Sequence, residues 1–185
     1  MEWIEYKNLI IELLNNLEIS PDILNTLKDS IKNNQRIYIA GNGGSGATAA
    51  HYMCDLSKGA VKDWESNNKE NRYKVHSLTT EMPYLLAIAN DADYNQVFKQ
   101  QLINLAEPKD ILIAISGSGN SKNIIEAVDY ANEIGMVTIG ISGYDGGKLK
   151  EKSKYNLHVN SFDMEACEDV HSIIGHFIAK WLKSH

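Results

Sequence analysis

Two stretches of the chain carry side chains spaced for proton transfer or metal ligation. In GATAAHYMCDLS, His51 and Asp55 are four residues apart, so on a helix an imidazole and a carboxylate share one face. Near the C-terminal end, EACEDVHSIIGHF contains Glu168, His171 and His176. From Glu168 to His176 is about two helical turns, with a rotation of roughly 80°, so one broad face can present both. A carboxylate beside an imidazole can move protons near neutral pH when the surroundings tune their pKa values. His51, Asp55, Glu168 and His176 are also two imidazoles and two carboxylates, types that zinc accepts. His171, taken singly, reads as a capped or core histidine.

Glycine-rich stretches form a second kind of candidate. GNGGSG, Gly41 to Gly46, fits G-x-G-x-x-G after an apolar run, RIYIA. A dinucleotide site further requires an acidic residue about 20 positions on, at the end of the next strand. Asp63 and Glu65 lie at that distance but in a polar loop, and the next strand, ending near Ser77-Leu78, carries no acid. A nicotinamide or flavin site is therefore a minor reading. The second stretch, Ser116-Gly117-Ser118-Gly119-Asn120-Ser121, follows a strand and opens a helix. Small residues let backbone N–H groups converge on an anion, and the helix N-terminus adds partial positive charge. The hydroxyls of Ser116, Ser118 and Ser121 supply neutral donors, which suits a phosphate monoester. A third stretch, ISGYDGG, also ends a strand in small polar residues.

These residues need a scaffold, and hydrophobic periodicity supplies one. Helices are expected over 3–17 and 21–33, the second with Ser20 as N-cap and Pro21 at its first position. Strands are expected over 36–40, 75–78, 110–116, 137–142 and 155–160. Helices follow over 44–57, 82–90, 94–105, 120–134 and 165–183, with Asn90-Asp91 as a break and Gly135 as a stop. Residues 61–72 are polar and aperiodic and read as a loop. Alternating strands and helices predict an α/β fold, a three-layer α/β/α sandwich on a mainly parallel five-stranded sheet, in one domain spanning 1–185. Within it, residues 1–34 are N-terminal helices and 35–185 the sandwich. In open parallel sheets the ligand crevice lies beyond the carboxyl ends of the strands, where all three glycine-bearing loops fall.

Composition narrows the function classes. The chain has 185 residues, 43% hydrophobic and 23% charged, as in a soluble globular domain. A net charge of −6 argues against non-specific nucleic-acid binding, which needs a basic face. Cys54 and Cys167, isolated from one another, read as free thiols rather than a disulfide framework or a zinc cluster. The N-terminus lacks the pattern of a signal peptide, and no apolar run approaches the ~20 residues of a membrane span, so no membrane partner and a cytoplasmic location are expected.

Taken together, GNGGS after the first strand, a helix bearing His51, ISGSGNS after a later strand and a His-bearing C-terminal helix resemble the SIS phosphosugar-binding domain. Within that group the chain is most similar to the phosphoheptose isomerases, and the resemblance covers nearly its whole length. It implies aldose–ketose isomerisation of sedoheptulose 7-phosphate, or a close sugar phosphate, to D-glycero-D-manno-heptose 7-phosphate. The product would feed activated-heptose and surface-glycan synthesis (lipopolysaccharide core, capsule or surface layer). It implies a homotetramer with sites between subunits and the N-terminal helices in its core. His51, Asp55, Glu168 and His176 become the possible zinc ligands, with His176 and either Asp55 or Glu168 as the acid–base pair. Asn42, Gly43, Gly44, Ser45, Asn90 and Asp91 line the sugar, while Ser116, Gly117, Ser118 and Ser121 hold its phosphate. The family pattern has Glu where this chain has Asp55 and Gln where it has Glu168. An arginine of the pattern is also missing, with Lys58 the nearest cation. Those departures keep open an alternative, a non-catalytic SIS sensor or regulator similar to the initiator-associating factor of bacterial replication.

Overall fold

A computed structural model describes residues 1–185. Five parallel strands form one sheet in the order β2-β1-β3-β4-β5. The strands are β1 Arg36–Gly41, β2 Lys74–Ser77, β3 Ile111–Ser116, β4 Val137–Ser142 and β5 Tyr155–His158. Eight α-helices connect or flank them: α1 Trp3–Asn16, α2 Pro21–Lys32, α3 Gly43–Cys54, α4 Met82–Asp91, α5 Lys99–Leu105, α6 Lys122–Glu133, α7 Gly147–Lys152 and α8 Met164–Ser184. The expected three-layer sandwich is thus the observed architecture.

Side-chain alternation along the strands divides the core into two clusters, one on each face of the sheet. Ile37, Ile39, Ile111, Ile113, Ile115, Ile139 and Ile141 point to the face covered by α2, α3, α8 and the inner side of α1. Tyr38, Ala40, Leu112 and Ala114 point to the other face, under α5, α6 and α7. Leu13, Ile23, Leu24 and Leu27 share the first cluster with Val170, Ile174 and Ile178, so the N-terminal helices pack on the same core as the sheet.

Strand order places the crevice. β1 has β2 on one side and β3 on the other, so the winding reverses between β1 and β3. The last paired residues there are Gly41 and Ile115. Beyond them the chain diverges into α3 on one face and α6 on the other, which leaves a cleft at this topological switch point. The first and second glycine-rich loops flank it.

Local chemistry shifts several expected boundaries. The helix expected over 44–57 is α-helical only to Cys54 and continues as one π-helical segment, Asp55–Gly59, in which the Ala60 N–H donates to the Asp55 carbonyl at 2.8 Å. The helix expected over 94–105 is a 3₁₀ turn, Tyr94–Gln96, followed by α5. The Asp93 carboxylate accepts from the Asn95 N–H at 2.6 Å and starts that tight turn separately. The break expected at Asn90-Asp91 falls later, since α4 runs through Asp91 and ends at Ala92. The last strand stops at His158, and α7 arises in a segment for which no helix was expected. Elsewhere the punctuation holds: the Ser20 hydroxyl accepts from the Asp22 N–H at 3.2 Å before Pro21, and Gly135, at φ 82°, follows the end of α6.

The approach of α8 to α3 depends on Gly175. A Cβ there would land on the Tyr52 ring, which is 3% exposed. Gly175→Ala gains about 1 kcal/mol of helix propensity but must displace that ring, a steric cost of about 1–3 kcal/mol in a packed core. We expect a net loss of stability, read as a lower urea midpoint, together with loss of the histidine geometry described next.

Candidate active site

Helices α3 and α8 lie side by side and run in the same direction. Glu168 meets Gly44 at the start of α3, and Gly175 meets Tyr52 near its end. The Tyr52 hydroxyl donates to the His171 carbonyl and locks the pair. This arrangement brings together residues 125 positions apart: His51 Nε2 and His176 Nε2 are 3.2 Å from each other. The rings meet edge to face, with centroids 4.9 Å apart. Asp55 Oδ2 completes the group, 3.4 Å from His51 Nε2 and 3.6 Å from His176 Nε2. Asp55 opens the π-helical segment, a distortion found often at functional sites because it turns a side chain out of the regular helical register.

The group is open on one side and closed below. The His51 and His176 side chains are 56% and 55% exposed, and that of Asp55 is 23% exposed. Asp55 Oδ2 itself is buried and accepts no hydrogen bond from any donor fixed in the structure. A buried carboxylate oxygen facing two imidazole nitrogens needs a proton or a cation between them. One ligand atom from each of His51, Asp55 and His176 lies within 4.8 Å of the others, an arrangement able to hold a metal ion.

Glu168 departs from the four-residue set. Its carboxylate lies against Gly44 at the first turn of α3, two turns of α8 before His176. Because the two helices run parallel, residues eight apart on α8 meet opposite ends of α3. The metal-competent group is therefore three side chains, with Glu168 at the crevice mouth.

Across the cleft, the second loop leaves the Ser118 and Ser121 hydroxyls without an acceptor of their own. Ser116, 3% exposed, donates through Oγ to Ser121 Oγ at 3.2 Å, and Ser118 Oγ accepts from the Asn120 N–H at 3.2 Å. No N-cap side chain accepts from the first turn of α6 or of α3, although the Ile124 N–H of α6 donates to Asn123 Oδ1 at 3.0 Å. The third loop acts as a buttress. The Gly143 N–H donates to the Gly117 carbonyl at 2.9 Å, and the Leu149 N–H to the Gly119 carbonyl at 2.9 Å. Gly119, at φ 65°, packs directly on the Gly146 carbonyl, where a side chain would not fit.

The remaining candidates are distributed. Gly43 and Gly44 are exposed in the first turn of α3, and Ser45 in the same turn is buried. Asn42 is tied to Asn123, a residue that sequence reasoning did not single out, and to Tyr94. Asn90 and Asp91 are exposed at the end of α4, where the Asn90 amide donates to Asp91 at 2.8 Å. Lys58 sits over the Trp64 ring at 4.7 Å.

The comparisons with known proteins agree with this fold. A family model described as "SIS domain" matches residues 21–143. A phosphoheptose isomerase of Helicobacter pylori (strain P12) is 33% identical, covering 100% of this chain and 93% of that protein. The chain belongs to the phosphoheptose isomerase family of SIS domains. A second member, from Aliarcobacter butzleri, is 38% identical over 82% of this chain and 77% of its own. Among solved structures, the phosphoheptose isomerase of Neisseria gonorrhoeae superposes with a TM-score of 0.86 at 29% identity, covering 99% of this chain and 95% of that one.

In this family member His171 is a core histidine below the site, 1% exposed, with neither ring nitrogen hydrogen-bonded by geometry. Burial lowers its pKa to about 4, opposed by contact with the Ser142 backbone. The folded state thus disfavours a proton that the unfolded chain takes up at about 6.5. Stability from this residue is complete above that value and lost as pH falls toward 4. Urea unfolding at pH 7 and pH 4.5 should show a loss of roughly 2–3 kcal/mol in the parent that is missing from His171→Gln.

Proposed function

We propose that the chain interconverts sedoheptulose 7-phosphate and D-glycero-D-manno-heptose 7-phosphate and so supplies heptose for activated-heptose and surface-glycan synthesis. The observation that carries the reading is the His51–Asp55–His176 group on α3 and α8, two helices whose starts bring Gly44 and Glu168 together at the β1/β3 crevice opposite the serine-rich loop. The two sides match the two ends of a sugar phosphate. Ser116, Ser118 and Ser121, with the backbone at Gly117 and the first turn of α6, receive the phosphate. Asn42, Gly43, Gly44, Ser45, Asn90 and Asp91 flank the sugar.

The reaction moves one hydrogen from C1 to C2 and one proton between the two oxygens. In the ketose-to-aldose direction, a carboxylate takes the C1 proton, the electron pair becomes the C1=C2 bond of an enediolate, and the same carboxylate returns the proton to C2. Asp55 holds that role, and His176 carries the proton lost from O1 to O2. His51 keeps the Asp55 carboxylate and the His176 ring in register. Glu168, at the first turn of α3, accepts from sugar hydroxyls.

The three side chains also fit a divalent ion, because Asp55 Oδ2 is a buried acceptor without a donor and faces two imidazole nitrogens. His51, Asp55 and His176 would hold zinc, which when bound polarises a substrate oxygen as a Lewis acid. Glu168, two turns of α8 away at the crevice, is then the carboxylate left free of the ion.

Two further features concern assembly and place. Trp3, Ile4 and Ile11 on α1 and Ile173 and Phe177 on α8 are exposed, and Phe177 adjoins His176. A homotetramer that covers these surfaces and closes the open side of the site is the reading they support. No helix is long and apolar enough to cross a membrane, and the substrate class fits a cytoplasmic enzyme with no nucleic-acid partner.

Proton NMR of sedoheptulose 7-phosphate in D₂O, with and without zinc, tests the reading. An aldoheptose anomeric signal should appear, with deuterium entering at C1 or C2. Asp55→Asn and His176→Ala should each lower the rate at least about 100-fold. If Glu168→Gln alone abolishes deuterium entry, the base is Glu168. Binding of the phosphate ester without turnover in the parent would favour the regulator.

A further inference from the structure

We propose that Asn123 is a positioning residue for the isomerisation, acting through Asn42 to fix the separation between the serine loop and the sugar-lining start of α3. The proposal rests on the isomerase reading for its kinetic test.

Asn123 lies in the first turn of α6, on the serine-loop side of the crevice, and is 2% exposed. Asn42 is the last residue before α3, which carries His51. Their amides pair reciprocally across the crevice: Asn42 Nδ2 donates to Asn123 Oδ1 at 2.8 Å, and Asn123 Nδ2 donates to Asn42 Oδ1 at 2.8 Å. Each oxygen takes a second donor. The Ile124 N–H donates to Asn123 Oδ1 at 3.0 Å, and the Tyr94 hydroxyl donates to Asn42 Oδ1 at 3.0 Å. Both acceptors are thereby filled, and turning either amide over would set like groups against each other.

The place of this tie gives it a consequence. Sheet pairing between β1 and β3 ends at Gly41 and Ile115, and α3 and α6 then leave on opposite faces. Past that point, the Asn42–Asn123 pair spans the crevice from one helix start to the other. One side receives the phosphate and the other opens α3 with Gly43, Gly44 and Ser45. The pair therefore sets where Gly43, Gly44 and Ser45, and the sugar they flank, sit when the phosphate is seated. Misplacement of about 1 Å in such a geometry can cost about 100-fold in rate. Tyr94 is 57% exposed, so its hydroxyl tightens the tie without belonging to the core.

Three measurements on Asn123→Ala and Tyr94→Phe test this: kcat/KM for sedoheptulose 7-phosphate per folded molecule, the inhibition constant of inorganic phosphate, and the melting temperature. For Asn123→Ala, kcat/KM should fall at least about tenfold while the phosphate constant stays within about twofold, since the serine loop is intact. For Tyr94→Phe a smaller fall, about threefold or more, should come with an unchanged melting temperature. That variant decides the matter if Asn123→Ala does not fold. A purely structural role would reduce only the folded fraction, so kcat/KM within twofold of the parent in the folded variants overturns the inference. A phosphate constant that rises in step with the loss of kcat/KM also overturns it, since the pair would then only shape the phosphate loop. A parent with no turnover would instead overturn the isomerase reading on which the inference rests.

Discussion

The contact between α3 and α8 is the constraint on which the rest of the site depends. Tyr52 fills the notch at Gly175 and its hydroxyl holds the His171 carbonyl, so the two helices meet along one line. Without that approach His51 and Asp55 would be an ordinary exposed pair on α3, and His176 an ordinary exposed histidine on α8. With it, two imidazole nitrogens and a carboxylate oxygen face one another within hydrogen-bonding or metal-bridging reach. The π-helical segment belongs to the same contact. Asp55 ends the regular part of α3, and its oxygen turns toward α8 at the point where the histidines meet.

The opposite wall of the crevice is built by different physics. The second loop carries no cation, so the anion affinity proposed for it would come from hydroxyls, backbone amides and the helix N-terminus, all of which need fixed orientation. The third loop and α7 provide it through backbone hydrogen bonds to Gly117 and Gly119. Far from the crevice, Asp110 performs a similar service at the amino ends of the strands. Its carboxylate, 5% exposed, accepts from the Arg36 N–H at 2.8 Å and the Glu107 N–H at 3.1 Å.

Much of this was legible in order along the chain. The runs RIYIA, DILIAIS and VTIGIS are β-rich and apolar because a parallel strand is buried on both faces, and each proved to be a strand. The pairing of His51 with Asp55 followed from helical spacing alone. Other features had no local signal. Asn123 looks like any polar residue in a helix start, and its importance comes from facing Asn42, 81 positions away. The segment of α7 is lysine-rich and weakly apolar, and becomes helical because its first turn is anchored on the serine loop. Glu168 could be placed on the right helix but not at the right end of α3, because spacing on one helix does not reveal the direction of its neighbour.

By itself the sequence determined the fold class, the position of the two glycine-rich loops at the strand ends, and the types of side chain available for proton transfer. Those follow from hydrophobic period, from glycine and serine chemistry, and from residue identity, all of which are local. Only the tertiary structure decided which of the four candidate ligands meet, that the third loop supports the second rather than lining the crevice, and that an amide pair spans the switch point. Each of these depends on the relative placement of segments far apart in the chain. That placement is set by packing at sites such as Gly175 and Gly119, where the absence of a single side chain fixes how closely two segments can approach.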